Sequence, residues 1–182
     1  MIVKDLKLLF EKINHDDFII SDKELSNKSS LVYGEVDYND IGNIISSLKI
    51  NYDNILDIGS GCGKIVIFLA IILDSYIDGV EIDINRFNKS ELLLNKYNLH
   101  EKISFINDTF ENVYFGNYDI IYCCNLVFDT EDNDKLYNKI NKEFSGTFIL
   151  FEFNNVLLPY LKLTKYVKTS WSKQVKIFIF NK

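Results

Sequence analysis

The clearest indication of a binding site in this sequence is a group of glycines in the stretch NILDIGSGCGKIVIFLA, which runs from position 54 to 70. Gly59, Gly61 and Gly63 follow an apolar run that ends in Asp57, although the chain has only 8 glycines in 182 residues. Glycines directly after a strand permit a tight turn and let a ligand approach the backbone without a Cβ in the way. The stretch therefore predicts a ligand-binding loop, and a glycine-rich turn without a ligand is the alternative.

The spacing of these glycines separates two classes of cofactor. A dinucleotide fingerprint, G-x-G-x-x-G, would place its third glycine at position 64, which is Lys64. The observed pattern, D-x-G-x-G-x-G, resembles the first motif of the class I S-adenosylmethionine-dependent methyltransferases. The resemblance implies that the loop holds the methionine part of S-adenosylmethionine and that Asp57 meets its ammonium group.

Two acidic positions further along the chain fit an adenosine-type cofactor. Glu81 lies 20 residues after Gly61, and a carboxylate at that spacing can accept both ribose hydroxyls; Asp83 is the alternative. In SFINDTF, Asp108 resembles the family's acidic residue that contacts the adenine amino group, with Thr109 or Phe110 beside the ring. The alternative for Asp108 is that it caps the following turn.

The elements that would position these residues alternate between strands and helices. Strands are predicted at NILDIG, YIDGVEI, KISFIN, YDIIYCCN and TFILFEF, and the runs LKLTKYVKTSW and VKIFIFN predict a closing hairpin. Such alternation favours right-handed βαβ units and a mostly parallel sheet covered on both faces. The predicted fold is α/β and Rossmann-like: the class I methyltransferase fold, with a seven-stranded, mostly parallel sheet and a terminal β-hairpin.

The domain prediction is simple. Apolar residues at helical spacing predict an amphipathic helix at the N-terminus, followed by a polar lead-in, so residues 1–32 form an N-terminal helix and lead-in segment. Residues 33–182 are predicted to form one methyltransferase catalytic domain.

Several stretches, in the same order, resemble the non-SET histone-lysine methyltransferases related to "disruptor of telomeric silencing". VYGEVDYNDIGNII, at 32–45, is similar to that family's Tyr-Gly-Glu-Thr segment and the helix after it. LDIGSGCGKIVIFLA is similar to its Asp-Leu-Gly-Ser-Gly-Val-Gly-Gln loop, NLVFDTEDNDKL to its Asn-Asn-Phe-Ala-Phe-Gly segment, and TSWSKQVKIFIFN to its Ser-Trp end strand. The glycine loop is shared by all class I enzymes, whereas the Tyr-Gly-Glu, Asn-x-x-Phe and Ser-Trp matches are more specific.

This resemblance implies roles for individual residues. Glu35 and Asp57 would help to bind the cofactor, and Asn125 would lie by the transferred methyl group and accept a hydrogen bond from the incoming amine. A narrow channel for the substrate amine would be walled by three aromatic residues: Tyr33, Phe128 and Trp171.

The sequence also departs from the family pattern at three positions. The family's Thr after Tyr-Gly-Glu is Val36, its Gln after the third glycine is Lys64, and its Gly after the aromatic is Asp129. The family's basic nucleosome-binding segment has no counterpart in this sequence, so the resemblance supports catalysis by this fold better than it supports a nucleosome as the substrate.

The chemistry of such a channel fits an amine acceptor. Methyl transfer from a sulfonium is an in-line displacement, to which an enzyme contributes mainly by positioning. A lysine must arrive neutral although its ordinary pKa is about 10.4, and an apolar aromatic channel disfavours the ammonium form. The preferred prediction is a protein-lysine methyltransferase of histone type. The alternatives are methylation of a nucleic acid or a small molecule, and an inactive cofactor-binding partner subunit.

The composition of the chain limits the classes of partner, metal and compartment that we expect for it. The net charge of −6 does not favour binding through nucleic-acid phosphates, while the lysines after position 160 form either a solvated face or a docking patch for an acidic partner. The longest apolar run, IVIFLAIIL, is too short to cross a bilayer, and the two histidines are not spaced as metal ligands. Three cysteines without a CxxC pair favour an intracellular protein, cytoplasmic or nuclear, and the biased composition suits a parasite or viral gene.

Overall fold

The computed structural model describes residues 13–18, 36–48, 52–73 and 75–182. Most of the predicted N-terminal helix and lead-in segment lies outside the described residues. The same holds for two predicted site residues, Tyr33 and Glu35.

Seven strands form one sheet in the order β3-β2-β1-β4-β5-β7-β6. Their bounds are β1 (Asn54–Ile58), β2 (Tyr76–Val80), β3 (Ile103–Ile106), β4 (Ile120–Cys123), β5 (Thr147–Leu150), β6 (Leu161–Val167) and β7 (Val175–Asn181). Strands β1 to β5 pair in parallel, whereas β7 pairs antiparallel with both β5 and β6. The predicted mostly parallel sheet with a terminal hairpin is confirmed.

Helices cover both faces of this sheet. They are α1 (Tyr38–Ser47), α2 (Lys64–Leu73), α3 (Ile84–Tyr97) and α4 (Thr130–Glu143). Three of them begin at an Asp whose carboxylate accepts hydrogen bonds from the first-turn N–H groups: Asp37 for α1, Asp83 for α3 and Asp129 for α4. Such caps satisfy donors that the helix itself leaves unpaired. None of the helices in the described ranges is long and apolar enough to cross a membrane.

The core divides into two apolar layers because successive side chains of a strand point to opposite faces. On one face the strands pack against α1, α2 and α3, around Phe68, Ile45 and Leu93. On the other face they pack against α4, with Leu136 and Phe148 fully buried. Helix α2 is buried along most of its length, which explains why its sequence is almost continuously apolar.

The strand order reverses beside β1, which lies between β2 and β4. In open α/β sheets a ligand binds at the carboxyl ends of the strands at such a switch point. The loop from β1 to α2 stands there, and its glycines have positive φ angles: +75° at Gly59, +58° at Gly61 and +80° at Gly63. These angles disfavour residues with a Cβ, so glycine is required by the backbone.

The turn between β6 and β7 is held over the same end of the sheet by the segment before α1. Val36 forms an isolated β-bridge with Thr169, and the Asp37 N–H donates to the Lys168 carbonyl at 2.9 Å. The Lys168 N–H in turn donates to the Asp40 carboxylate at 2.8 Å. The hairpin turn therefore lies beside the carboxyl ends of the central strands.

Candidate active site

A cavity of about 990 Å³ opens at the carboxyl ends of the central strands. Its walls come from the loop after β1, the end of β2, the turns after β3 and β4, and the β6–β7 turn. Eight of the predicted site residues line it: Asp57, Gly59, Gly61, Glu81, Asp108, Thr109, Phe128 and Trp171. The fold thus brings together residues that are more than a hundred positions apart in the sequence.

The glycine loop is fastened to the end of β2. The N–H groups of Gly59 and Ser60 donate to the Val80 carbonyl at 2.9 and 3.1 Å, and the Gly61 N–H donates to the Glu81 carboxylate at 2.8 Å. The other oxygen of Glu81 accepts the Asp83 N–H at 2.9 Å. Each carboxylate oxygen keeps a lone pair for a further donor, as a ribose would require.

Asp83, the alternative to Glu81, has a different task. Its carboxylate accepts from the N–H groups of Asn85 and Arg86 at 3.0 Å each and so caps α3. The side chain lines the cavity, but its oxygen is engaged in the cap. The geometry therefore favours Glu81 over Asp83 as the ribose acceptor.

Asp57 lies at the floor of the cavity and is 3% exposed. No residue in the described ranges donates a hydrogen bond to its carboxylate. Burial, together with the nearby Glu81 charge, raises the pKa of the Asp57 carboxyl to about 8, and burial also raises the pKa of Glu81. A buried carboxylate without a donor favours a cationic ligand group, because opposite charge offsets the desolvation of the anion.

Gly63 does not line the cavity, unlike the other two glycines of the loop. A Cβ at Gly63 would lie 2.4 Å from the ring of Phe105 on β3. Its lack of a side chain is needed for packing α2 against the sheet. The prediction that Gly63 contacts the cofactor does not fit this placement.

Asp108 is placed so that it can fill both of the roles predicted for it, the contact with adenine and the capping of the following turn. One oxygen of its carboxylate accepts the Thr109 N–H at 2.7 Å and the Asn112 side-chain amide at 2.8 Å, so Asp108 does fasten the following turn. The residue also lines the cavity and is exposed to it. Beside it the rings of Phe110 and Phe128 stack, with centroids 5.9 Å apart at 14°, and form a flat apolar wall.

Asn125 is placed differently from the prediction. It is fully buried and does not line the cavity. Its oxygen accepts the backbone N–H groups of Phe151 and Glu152 at 2.9 and 3.1 Å, and its amide donates to Asn133 and Tyr137 at 2.6 and 3.1 Å. Because these partners occupy the whole amide, the predicted hydrogen bond from Asn125 to a substrate amine is wrong. Asn125 joins the end of β4 to β5 and α4.

Two residues that the sequence reasoning did not select do line the cavity: Cys124 and Tyr122. When the family's Asn-Asn-Phe-Ala-Phe-Gly segment is laid on this sequence with its second aromatic at Phe128, its second Asn falls on Asn125 and its first on Cys124. Tyr122 carried no sequence signal, since one aromatic in a buried strand usually packs in the core.

The residues that line the cavity have the chemistry that S-adenosylmethionine requires. Gly59 and Gly61 present backbone without a Cβ, the buried Asp57 suits an ammonium group, and Glu81 suits two hydroxyls. Ser60 lines the cavity, and its buried hydroxyl has no hydrogen-bond partner among the described residues. A buried hydroxyl in that state favours a polar ligand atom.

Comparison with protein families decides the identity. The model of "Histone methylation protein DOT1" matches residues 20–151, which is most of the chain. The chain belongs to this family. It is accordingly an S-adenosylmethionine-dependent methyltransferase of class I, and the predicted cofactor, S-adenosylmethionine, is confirmed. No curated protein matches the DOT1-family chain in sequence.

Solved structures share its fold. An RNA methyltransferase from Salinibacter ruber, in complex with S-adenosyl-L-homocysteine, has a TM-score of 0.63 at 16% identity, over 78% of this chain and 90% of that one. Magnesium protoporphyrin IX methyltransferase from Synechocystis, with bound S-adenosylmethionine, has a TM-score of 0.65 at 13% identity, over 80% and 77%. A human methyltransferase 10 domain containing protein has a TM-score of 0.59 at 12% identity, over 79% and 81%. At these identities the similarity establishes the fold of the DOT1-family chain.

Proposed function

We propose that this protein transfers the methyl group of S-adenosylmethionine to the side-chain amine of a protein lysine. The observation that carries the proposal is the apolar, aromatic wall beside the cofactor-binding residues, in a chain of the DOT1 family. Phe128 forms one part of that wall, stacked on Phe110 at the predicted adenine end, and Trp171 from the β6–β7 turn lines the same cavity while remaining 48% exposed. A partly open aromatic wall suits a long, flexible side chain that enters from the surface.

The wall would act on the protonation state of the acceptor. Bound S-adenosylmethionine supplies an electrophilic methyl group on a positively charged sulfur. An apolar wall disfavours a charged ammonium and so lowers the pKa of an entering lysine towards the neutral, nucleophilic form. The wall also limits the directions from which the amine can approach, which favours an in-line attack.

The cysteines of β4 would not compete with the amine as nucleophiles. The thiolate is the nucleophilic form of cysteine. Burial raises the pKa of the Cys124 thiol to about 12, and it raises the pKa of Cys123 as well. Both groups are therefore neutral thiols near neutral pH, and Cys124 contributes an uncharged surface to the cavity.

The test is to supply S-adenosylmethionine labelled in its methyl group to separate pools of histones, nucleosomes, other lysate proteins, RNA and small molecules. Labelled protein would be hydrolysed to amino acids and compared with methylated lysine standards. Label in Nε-methyllysine supports the proposal. Label only in RNA or in a small molecule contradicts it, and no turnover with cofactor bound would indicate an inactive partner subunit.

Two substitutions test whether the aromatic wall binds the acceptor. Phe128→Ala and Trp171→Ala are expected to lower kcat/KM for the protein acceptor about tenfold or more, since each removes part of the acceptor channel. Tyr76→Ala is the matched control, because Tyr76 is 57% exposed at the amino end of β2, whereas the cavity lies at the carboxyl ends of the strands. Equal activity in all three variants would contradict the assignment of the wall to the acceptor.

A further inference from the structure

Tyr122 carries a hydroxyl group that the fold itself does not use. The residue is in β4, is 2% exposed, and packs edge-on against Phe151 with ring centroids 6.2 Å apart. Its hydroxyl has no hydrogen-bond partner in the part of the chain that the structure describes. A phenylalanine would fill the same apolar space, and a buried hydroxyl without a partner destabilises a protein by about 1–3 kcal/mol. The hydroxyl is therefore expected to have a partner that arrives with a ligand.

The position of Tyr122 indicates which part of the ligand would contact its hydroxyl. Tyr122 is the register partner of Asp57 across the parallel pair of β1 and β4. Paired residues of neighbouring strands project from the same face of the sheet, and both residues line the cavity. The Tyr122 side chain thus lies at the cavity on the same face of the sheet as the carboxylate that we assign to the ammonium group of the cofactor, and its hydroxyl is buried there.

We propose that the Tyr122 hydroxyl oxygen accepts a hydrogen bond from the ammonium group of bound cofactor, next to Asp57. An ammonium group has three N–H donors, so one carboxylate leaves donors to be satisfied. The cofactor's own carboxylate is a poorer partner here, because Asp57 and Glu81 already make this wall acidic. Tyr122 is a positioning residue that recognises the amino-acid end of the cofactor.

The experiment compares three ligands by calorimetric titration of wild type and Tyr122→Phe. S-Adenosylhomocysteine has the whole amino-acid end, its decarboxylated analogue keeps the amine, and methylthioadenosine has neither group. The proposal expects about a tenfold rise in dissociation constant for the first two, which is the loss of one hydrogen bond to a charged group, and no change for methylthioadenosine. The ligand-free variant should unfold at the same temperature as wild type or higher.

Tyr137→Phe is the matched control. It also removes a buried tyrosine hydroxyl, but one that accepts from Asn125 and does not line the cavity. It should lower the unfolding temperature and leave the ratio of the dissociation constants for S-adenosylhomocysteine and methylthioadenosine unchanged. Unchanged affinity of Tyr122→Phe for all three ligands, equal weakening of all three, or weakening confined to S-adenosylhomocysteine would overturn the proposal.

A second, independent observation concerns the distribution of charge. All 26 acidic residues of the chain precede Phe153, whereas six of its 20 basic residues follow it. Five of those six are exposed on β6, β7 and their turn, and we call them the hairpin lysines: Lys162, Lys165, Lys168, Lys173 and Lys176. None of them forms an ion pair with another described residue. A protein with a net charge of −6 thus has a hairpin that carries lysines and no acidic residue, with Lys165 and Lys176 on its two faces and Lys168 and Lys173 at its turn.

The turn of this hairpin adjoins the cavity, whose lining also includes exposed carboxylates. Ser170 and Trp171 line the cavity from the hairpin turn, between Lys168 and Lys173. The exposed Asp108 lines it from the turn after β3, at the other edge of the sheet from β6, and the exposed Asp129 and partly exposed Asp132 line it from the segment after β4. The entrance therefore has lysines on one side and carboxylates on the other.

We infer that the hairpin lysines dock an acidic stretch of the protein acceptor, next to its target lysine. The inference rests on the proposed function, since it assumes a protein acceptor. A segment of mixed charge would meet lysines on one side of the entrance and carboxylates on the other, whereas a nucleic acid carries negative charge along its whole length and would be repelled by the acidic side.

The test measures peptide binding by fluorescence anisotropy in the presence of S-adenosylhomocysteine, so that no methyl transfer is required. The probes are a peptide with a central lysine between an acidic and a basic run, the same peptide in reverse order, an all-acidic peptide and a single-stranded RNA of equal length. One of the mixed-charge peptides should bind most tightly. Lys168→Glu with Lys173→Glu should weaken it about tenfold at low salt, and 0.5 M salt should remove the difference.

Lys142→Glu, a single charge reversal at the end of α4, is the control for each of the single variants Lys168→Glu and Lys173→Glu and should bind that peptide as wild type does. Peptide binding that is unchanged in the double variant, or RNA bound more tightly than any peptide, would overturn the inference. A peptide that binds in this lysine-dependent way but is never methylated would count against the proposed function and leave the docking surface standing.

Discussion

Asp57 and Glu81 are two carboxylates buried in one wall of the cavity, and each affects the other. Burial raises the pKa of both groups, and the Glu81 charge contributes to the rise at Asp57. Glu81 is partly compensated by two backbone N–H groups, whereas Asp57 has no donor among the described residues. The ligand-free site is therefore strained electrostatically, and a bound ammonium group relieves that strain.

The first prediction is a pH dependence of stability that originates at Asp57. Its pKa is about 8 in the folded protein and about 4 in an unfolded chain, so between these values the folded state holds a proton that the unfolded state has lost. The free energy of unfolding of the ligand-free protein should therefore fall as pH rises from about 4 to 8, by up to about 1.4 kcal/mol per pH unit for this group.

Chemical denaturation at pH 5, 6, 7 and 8 measures this dependence. Asp57→Asn should reduce the slope, leaving the smaller part that Glu81 supplies, and should stabilise the ligand-free protein most at pH 8. Saturation of wild type with S-adenosylhomocysteine should also reduce the slope, because an ammonium group beside Asp57 lowers its pKa. A variant with the full wild-type slope would show that Asp57 is not the titrating group.

The second prediction concerns Asn125. Asn125→Ala removes a buried amide and leaves the N–H groups of Phe151 and Glu152, together with Asn133, short of partners. Each buried unpaired group destabilises by about 1–3 kcal/mol, so the variant is expected to lose about 3–5 kcal/mol of unfolding free energy. Denaturant unfolding measures it, and Cys124→Ala, at the neighbouring residue that lines the cavity, is the comparison. An Asn125→Ala variant as stable as wild type but catalytically dead would restore the original prediction for Asn125.

The exchange of roles between Cys124 and Asn125 shows why single site residues are hard to predict. The segment Asn125–Val127 is a 3₁₀ turn that begins directly at the end of β4. Successive side chains of such a turn point about 120° apart, so the residue that faces the cavity depends on where the turn begins. The sequence specified an Asn followed three residues later by Phe128, and the start of the turn was not visible in it.

At the scale of elements, the junction of β1 and α2 controls both packing and binding. Gly63 ends the loop directly before α2 and leaves room for the Phe105 ring, while Gly59 and Gly61 face the cavity. The motif therefore combines two requirements in one short stretch. Its first two glycines line the cavity, and the third makes room for the contact between helix and sheet.

The third prediction separates these two requirements. Gly63→Ala places a Cβ 2.4 Å from Phe105 at a φ of +80°, so we expect a loss of about 2–4 kcal/mol in unfolding free energy from overpacking and backbone strain. Gly59→Ala meets its nearest atom only at 3.9 Å, in Phe128, so it should lose only about 1–2 kcal/mol, the strain of the left-handed conformation. Denaturant titration of both variants measures these values.

Combining Gly63→Ala with a smaller residue at position 105 tests whether the contact with Phe105 causes the loss of stability. Phe105→Leu opens the space that the new methyl group needs, so it should restore part of the stability of Gly63→Ala and none of that of Gly59→Ala. Additive effects in the Gly63 pair would show that the contact with Phe105 is not the cause.

The elements themselves were predictable because their apolar patterns are long and distinct. The central parallel strands β1, β4 and β5 are short runs buried on both faces along most of their length, and the hairpin runs carry exposed lysines. The contact between the hairpin turn and the segment before α1 was not predictable, since Val36 and Thr169 are 133 positions apart and pair through backbone groups. Backbone pairing of that kind leaves no pattern in side-chain types.

At the scale of the whole molecule, the cavity joins distant parts of the chain. Its lining extends from Val36 to Trp171 and includes the ends of β1, β2 and β4. A ligand that contacts all of these segments must stabilise the folded state as one unit, because their placement depends on the complete sheet. The gain follows from mass action and amounts to about 2.7 kcal/mol at a ligand concentration of 100 times the dissociation constant.

The fourth prediction is therefore a thermal shift that depends on the type of cofactor. For a domain of this size, 1 kcal/mol corresponds to about 2–4 °C, so S-adenosylhomocysteine at 100 times its dissociation constant should raise the unfolding temperature by roughly 5–10 °C. NAD at the same concentration should give no shift, because Lys64 stands where a dinucleotide loop has its third glycine. The acidic wall of Asp57 and Glu81 would also repel a pyrophosphate.

Glu81→Gln tests whether the shift comes from the cavity. The variant keeps the shape of the side chain and loses the charge-assisted acceptance of hydroxyls, so the shift with S-adenosylhomocysteine should shrink at a fixed ligand concentration. A shift with NAD equal to that with S-adenosylhomocysteine would contradict the assignment of the loop. A full shift in Glu81→Gln would instead place the ligand away from the end of β2, because a ribose bound there would have lost its acceptor.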